Sequence, residues 1–268
     1  MAWWTSRWMD DMPIFVPFLA SVLILMLACE VGHQFGGWVR RSTGKTPSSS
    51  LAGGSLGSVL GLLALILAFT FGMAEDRYGA RKALVLEEAN AVGTAWLRAD
   101  LLHEPHRSEC KRLLHEYVDV RLEAVKSRDV DQLAEAMQHS AEIHDRLWDH
   151  VTRAAHDKND SVMIGLVISS FNDVIDLHSK RIAAALRNRI PEAIWSTLYW
   201  IACVCTGLLG FLGGTQNQRS LLVGLALMVT FSFVMVLIMD LDRPQQHAFT
   251  VSQQALQDLS QQMTASER

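Results

Sequence analysis

Few residues of this 268-residue chain have a type and spacing that could do chemistry. Asp240 and Asp242 close a long apolar run in the segment Asp240-Leu241-Asp242-Arg243-Pro244. Carboxylates at the C-terminal end of a helix oppose its dipole by about 0.3–1 kcal/mol, so both call for a partner. Either they pair with Arg77, Arg243 or another arginine, or they cluster to bind a hard cation such as Ca2+ through oxygen ligands alone. A second polar set lies mid-chain: Glu87, Glu88, Asn90 and Arg98 on one helix, and Asn172, Asp173, Asp176, His178 and Arg181 on another. Asn172 and Asp176 are four apart and share a face. Asn90, Arg98, Asn172, Asp176 and Arg181 are expected to form a structural polar network that fixes helix register.

Other chemistries find less support. His106 and Cys110 stand at i, i+4 with His103 close by, but no further pair completes a metal site. The cysteines (Cys29, Cys110, Cys203, Cys205) form neither a disulfide framework nor a zinc pattern. No nucleophile motif, phosphate-cradling glycine loop or H-E-x-x-H is present, so enzymatic activity is not expected. A net charge of -4, without a basic face interleaved with aromatics, argues against nucleic acid as a partner.

One stripe carries no polar chemistry and is still informative. Gly57, Gly61, Ala64, Ala68 and Gly72 follow one another at steps of four, three, four and four, on one face of an apolar helix. Small residues let two backbones approach closely, which is how helices associate in lipid. The stripe is either packing alone or a seam between identical helices around an axis. In the second case Leu62, Ile66, Phe69, Thr70 and Met73 are candidates to line a hydrophobic constriction, which can gate a pore by dewetting.

The elements that position these residues follow from charge. Charged residues make up 19% of the chain, against about 25% in an average soluble domain. None occurs in 12–29, 46–74, 193–218 or 220–239. A bilayer core needs about 17–25 apolar residues in a helix, and each stretch reaches that length. Membrane helices are expected at about Pro13–Cys29, Gly53–Met73, Pro191–Leu212 and Leu221–Met239, with a turn-rich loop from Arg40 to Ser50. Asp10 and Asp11 precede the first run and no A-x-A-like site follows it, so it reads as an uncleaved helix.

Between the second and third runs the pattern is helical throughout. The second helix continues to Leu102 and stops at Pro105. Further helices are expected over His106–Ser127 and Val130–His156. A last one carries an apolar stripe of 3.6-residue spacing from Met163 to Leu186. The fold class is therefore an all-α membrane protein: four transmembrane helices with a cytoplasmic helical bundle inserted between the second and third. The domains are 1–74, 75–190, 191–243 and a Gln- and Ser-rich tail, 244–268, that either moves freely or wraps a neighbour. Arg7, Arg77, Arg81, Lys82, Lys180, Arg181, Arg187, Arg189 and Arg243 outnumber Arg40, Arg41, Lys45 and Arg219 on the opposite side, which places both termini and the middle region in the cytoplasm. Trp3, Trp4, Trp8 and Trp195 fall at the inner interface and Trp38 at the outer one.

The run from Gly61 to Ala74, then Arg77-Tyr78, the run from Glu88 to Ala95, and Leu97-Arg98 resemble a bacterial family described as bestrophin-like. Asn172 to Arg181 and Asp240 to Pro244 look like its later motifs, so the likeness covers about Gly57 to Val251. The resemblance implies four membrane helices, a helical cytoplasmic portion and inward termini. Through bestrophins, which are homopentameric ion channels, it implies a narrow hydrophobic neck at Ile66, Phe69 and Met73. It also puts Asp240 and Asp242 where some bestrophins carry an acidic calcium-binding cluster. This chain has two carboxylates and an arginine there rather than consecutive acidic residues, and it lacks the Trp- and Pro-rich signature flanking the bestrophin neck. The expected function is a homo-oligomeric ion channel of a bacterial inner membrane, its partners being lipids, copies of itself and inorganic ions. The alternative is a non-conducting signalling or scaffold protein acting through the bundle. A transporter is disfavoured by the scarcity of intramembrane charges and of broken helices.

Overall fold

The structure is a computed structural model that describes residues 12–43, 49–126, 130–157, 161–186, 189–217, 221–243 and 251–266. Arg7, Lys45, Arg187, Arg219, Pro244 and the anchors Trp3, Trp4 and Trp8 lie outside the described residues. Among those described, the secondary structure is helical, with no strand: α1 Phe15–Thr43, α2 Ser49–Ala99, α3 His106–Lys126, α4 Val130–Asp157, α5 Ser161–Leu186, α6 Glu192–Gln216, α7 Leu221–Asp242 and α8 Gln254–Ser266. The chain divides into two units, residues 1–78 with 189–250, and residues 79–188 with 251–268.

The first unit contains α1, the start of α2, α6 and α7. Its organising contact joins α1 to α6, backbone against backbone. A Cβ at Gly32 or Gly36 would land in the carbonyl of Gly207 or Phe211, and one at Gly210 or Gly214 in that of Cys29 or His33. Only glycine lets two helices approach so closely. Ser21 Oγ donates to the Pro17 carbonyl at 2.7 Å and accepts from Tyr199 Oη at 2.5 Å, adding a polar tie where no water competes. Below the seam, Leu25, Leu63, Leu198, Ile201, Met228, Phe231 and Met235 form one core, and Ala74, Ile190, Ile238 and Leu241 a second. The outward faces of α1 and α7 expose Leu23, Leu27, Val31, Leu222 and Phe233. Apolar faces of that extent need hydrocarbon rather than water as solvent.

The end of the first helix differs most from the sequence expectation. The first helix runs to Thr43 rather than Cys29, and Arg40–Thr43, expected as loop, are helical. Apolarity stops at Cys29, whereas the glycine seam continues through Gly32 and Gly36 and sets the helix length. At the other seam partner, Pro191 stands at the N-cap of α6, and Asn217 ends the helix in the left-handed conformation, its N–H bonded to the Gly213 carbonyl.

The second unit contains the rest of α2 with α3, α4, α5 and α8. Pro105 lies just before α3, and the Glu104 carboxylate accepts the Ser108 N–H at 3.2 Å, satisfying one orphan donor of that helix start. Val85, Val92, Trp96, Leu113, Leu114, Tyr117, Ile143, Leu147, Val151, Phe171 and Val174 fill the core. The tail, expected to move freely or wrap a neighbour, supplies α8, whose Leu256 and Met263 are buried in that same core. Among the described residues, five helices are long and apolar enough to cross a membrane: α1, α2, α5, α6 and α7.

Candidate functional site

α2 carries no charged residue from Ser49 to Ala74, so its packing decides which face is free. Leu63 and Ala74 are buried, Ile66 and Leu67 pack half-buried beside them, and Thr70 is 2% exposed with its hydroxyl on the Ile66 carbonyl at 2.8 Å. The opposite face is bare. Gly57, Gly61, Ala64 and Ala68 are exposed and Gly72 half-buried, and a Cβ at any of the three glycines would meet nothing within 4 Å. Flanking them, Leu62, Leu65, Phe69 and Met73 are exposed, Phe69 to 67%. Of the candidate pore-lining residues, Leu62, Phe69 and Met73 therefore share the free side, whereas Ile66 and Thr70 face the chain's own core. Leu65, one turn before Phe69, belongs with the free set. A helix that is hydrophobic all round hides its register from sequence, so exposed Leu65 and buried Thr70 cannot be told apart there.

Asp242 takes the pairing role. Its Oδ1 accepts from Arg77 Nη1 at 3.3 Å, and its two oxygens accept the Ile190 N–H at 3.1 and 3.2 Å. Asp240 is 3% exposed, and both its carboxylate oxygens lack a hydrogen-bond partner. Arg243 donates from Nη1 to the Met12 carbonyl at 3.0 Å. A hard cation such as Ca2+ takes about 6–8 oxygen ligands. Asp242 is already committed to a guanidinium and an amide, and no group of three His, Cys, Asp or Glu that could hold a metal occurs among the described residues. These two carboxylates alone do not fit that ion.

In the second unit four helices bring polar side chains into the core. Glu88 on α2 is fully buried, and Tyr117 on α3 donates its hydroxyl to Glu88 Oε1 at 2.5 Å. Arg181 on α5 pairs with Glu88 Oε2, and Arg121 Nε on α3 stands 3.5 Å from Oε1. One carboxylate thus serves two buried guanidiniums. His178 Nδ1 lies 3.1 Å from Tyr117 Oη. Because the tyrosine proton goes to the carboxylate, we assign the Nδ1–H tautomer, which donates to the tyrosine oxygen. His144 on α4 packs against both rings, 4.9 Å from His178 and 5.0 Å from Tyr117 between centroids.

Burial governs the titration of this cluster. It lowers His144 to about 4 and His178 to about 3, with the Arg121 charge adding to both. It raises Tyr117 to about 12 and lowers Arg181 to about 10. Both imidazoles are neutral at pH 7. Of the expected network only Arg181 takes part. Asn90, Asn172 and Asp176 are exposed, and half-buried Arg98 donates to the Leu166 carbonyl at 3.0 Å instead. Asn172 and Asp176 do share a face, but Phe171, Val174 and His178 turn the other side of α5 to the core.

A family model of the bestrophin-like domain matches residues 23–256. Comparison with curated proteins finds no match. Among solved structures, a crystal structure of a bacterial bestrophin homologue from Klebsiella pneumoniae is similar at a TM-score of 0.66 and 14% identity, over 94% of this chain and 98% of the other. Two point mutants of that homologue give TM-scores of 0.65 and 0.67 at 13% identity, over 94% and 95% of this chain and 99% and 98% of theirs. At such identities the likeness is one of fold.

Proposed function

Because the chain belongs to the bestrophin-like family, we propose that it is a homo-oligomeric ion channel, pentameric by likeness to bestrophins, whose axial constriction is lined by the free face of α2. The observation that carries this reading is the bare stripe Gly57-Gly61-Ala64-Ala68-Gly72 beside exposed Leu62, Leu65, Phe69 and Met73. Such a surface is stable only when covered, and small residues suit close approach of copies of the same helix. With copies seated there, the large apolar side chains alongside turn toward the axis and can dewet a narrow passage.

Four of the five candidate spans cross the membrane in this reading: α1, the start of α2, α6 and α7. The fifth, α5, has a mean hydropathy of 1.2 against 1.6–2.7 for the others. It also exposes Asp173, Asp176 and Lys180 and sends Arg181 into a buried ion pair, so it belongs with the second unit in the cytoplasm. The Lys and Arg bias supports termini on the cytoplasmic side of a bacterial inner membrane. The competing scaffold reading has no observation in its favour.

Purified protein in planar bilayers should give unitary currents that change in size or selectivity in Phe69→Ala and Leu65→Ala, with Thr70→Ala having the smaller effect. Silent bilayers from verified, assembled protein would remove the channel reading.

A further inference from the structure

α3 and α4 pack side by side in the second unit through Leu113, Leu114, Ile143, Leu147 and Val151. Toward one end of that contact His106 on α3 faces His150 on α4. Their Nδ1 atoms are 3.2 Å apart, with ring centroids at 5.5 Å and planes inclined by 67°. Both residues are half-buried, so an ion can reach them from solvent.

A hydrogen bond between the two imidazoles explains this distance if one ring donates and the other accepts. The same distance suits another occupant. Tetrahedral Zn2+ holds imidazole nitrogens at about 2.0–2.1 Å, which sets two of them roughly 3.3–3.4 Å from each other. Two ring nitrogens on different helices, 44 residues apart, are held near that spacing by a core that does not depend on them.

The surroundings favour a cation. Burial lowers the proton affinity of His150, so its ring is neutral at pH 7 and offers a lone pair. Glu109 and Asp149 act on it as negative charges and Arg153 as a positive one. Glu109 lies one turn beyond His106 and is held by Arg112 at 2.6 Å and Arg146 at 3.2 Å, placing it outside the coordination sphere. Cys110, the i+4 neighbour of His106, is fully buried with its thiol pushed up to about 12, which rules it out as a thiolate ligand.

We propose that His106 and His150 form a two-histidine clamp for a borderline divalent cation of the Zn2+ class, with water completing the shell and the ion tying α3 to α4. Imidazole is a preferred donor for such ions. Bound metal stabilises the folded bundle by mass action.

The test uses full-length, metal-stripped protein in detergent, titrated with ZnCl2 at pH 7.5 and followed by calorimetry and thermal melting. We expect one Zn2+ per chain and a raised Tm. Both should be lost in His106→Gln and in His150→Gln and kept in His139→Gln, which removes a surface histidine from outside the clamp. Wild-type protein that binds no Zn2+ would overturn the clamp and leave the pair as a hydrogen bond. Binding and a Tm rise that survive both glutamine substitutions would also overturn it, assigning the metal to surface histidines.

Discussion

Acidification should destabilise the second unit through His144 and His178, and the size of the effect follows from the structure. Both imidazoles are held far below the ordinary value of 6.5, at about 4 and about 3, first by burial and then by the Arg121 charge. At His144 the charge of Asp145 opposes the shift, and His178 is lowered further by His144. The sign is that of a group more basic when unfolded. Above pH 6.5 neither state carries the proton and stability is flat. Below it the unfolded chain takes up protons that the native bundle refuses, so stability falls as pH drops. At pH 5 each unfolded imidazole has gained about 1.5 pH units of proton binding at 1.36 kcal/mol per unit, or about 2 kcal/mol. This figure requires only that the native pKa lie below 5. Two such groups give about 4 kcal/mol between pH 7 and pH 5, a window above the titration of ordinary carboxylates. Chemical unfolding followed by far-ultraviolet circular dichroism at half-unit pH steps measures the slope. The double variant His144→Phe, His178→Phe keeps two rings in place and should lose most of it, whatever its absolute stability. A double variant with the wild-type slope would refute the argument.

Three further outcomes follow from the same physics. Glu88→Gln leaves Arg121 and Arg181 buried without their counter-charge and should cost about 3–5 kcal/mol by unfolding titration. Gly210→Leu drives a side chain into the Cys29 carbonyl and should abolish recovery of folded protein in size-exclusion chromatography, while Gly53→Ala, in open space, should leave it unchanged. Gly61→Leu adds bulk where the single chain has room, so it should spare the folded protomer and shift the assembly to smaller species in native mass spectrometry.

How far the sequence could be read depended on whether a feature is periodic and local. The uncharged runs located four of the five candidate spans because lipid tolerates charge poorly, and the 3.6-residue spacing located α5 within two residues. The glycine seam was invisible for the opposite reason. Gly32 and Gly36 meet Gly207 and Phe211, and Gly210 and Gly214 meet Cys29 and His33, all far apart in the chain, and no local pattern marks the two helices as a pair. The small-residue stripe on α2 could be read as a stripe, but its bare state in the chain could not. Buried charge misled most. Glu88 and Arg121 look in sequence like any solvated pair, whereas Asn172 and Asp176, chosen for their shared face, stay in solvent. In α8 two anchors, Leu256 and Met263, suffice to dock a segment whose composition resembles a mobile tail.

The central claim is that the free face of α2 lines an axial passage between copies of this chain. A cryo-electron-microscopy map of the purified assembly in lipid tests it most directly. The account predicts a closed ring with one α2 per protomer around the axis, Gly61 in the seam between copies and Leu65 and Phe69 turned toward a continuous, narrow, apolar passage. A monomer or dimer, or a ring whose axis is filled by another helix with Phe69 facing lipid, would contradict it.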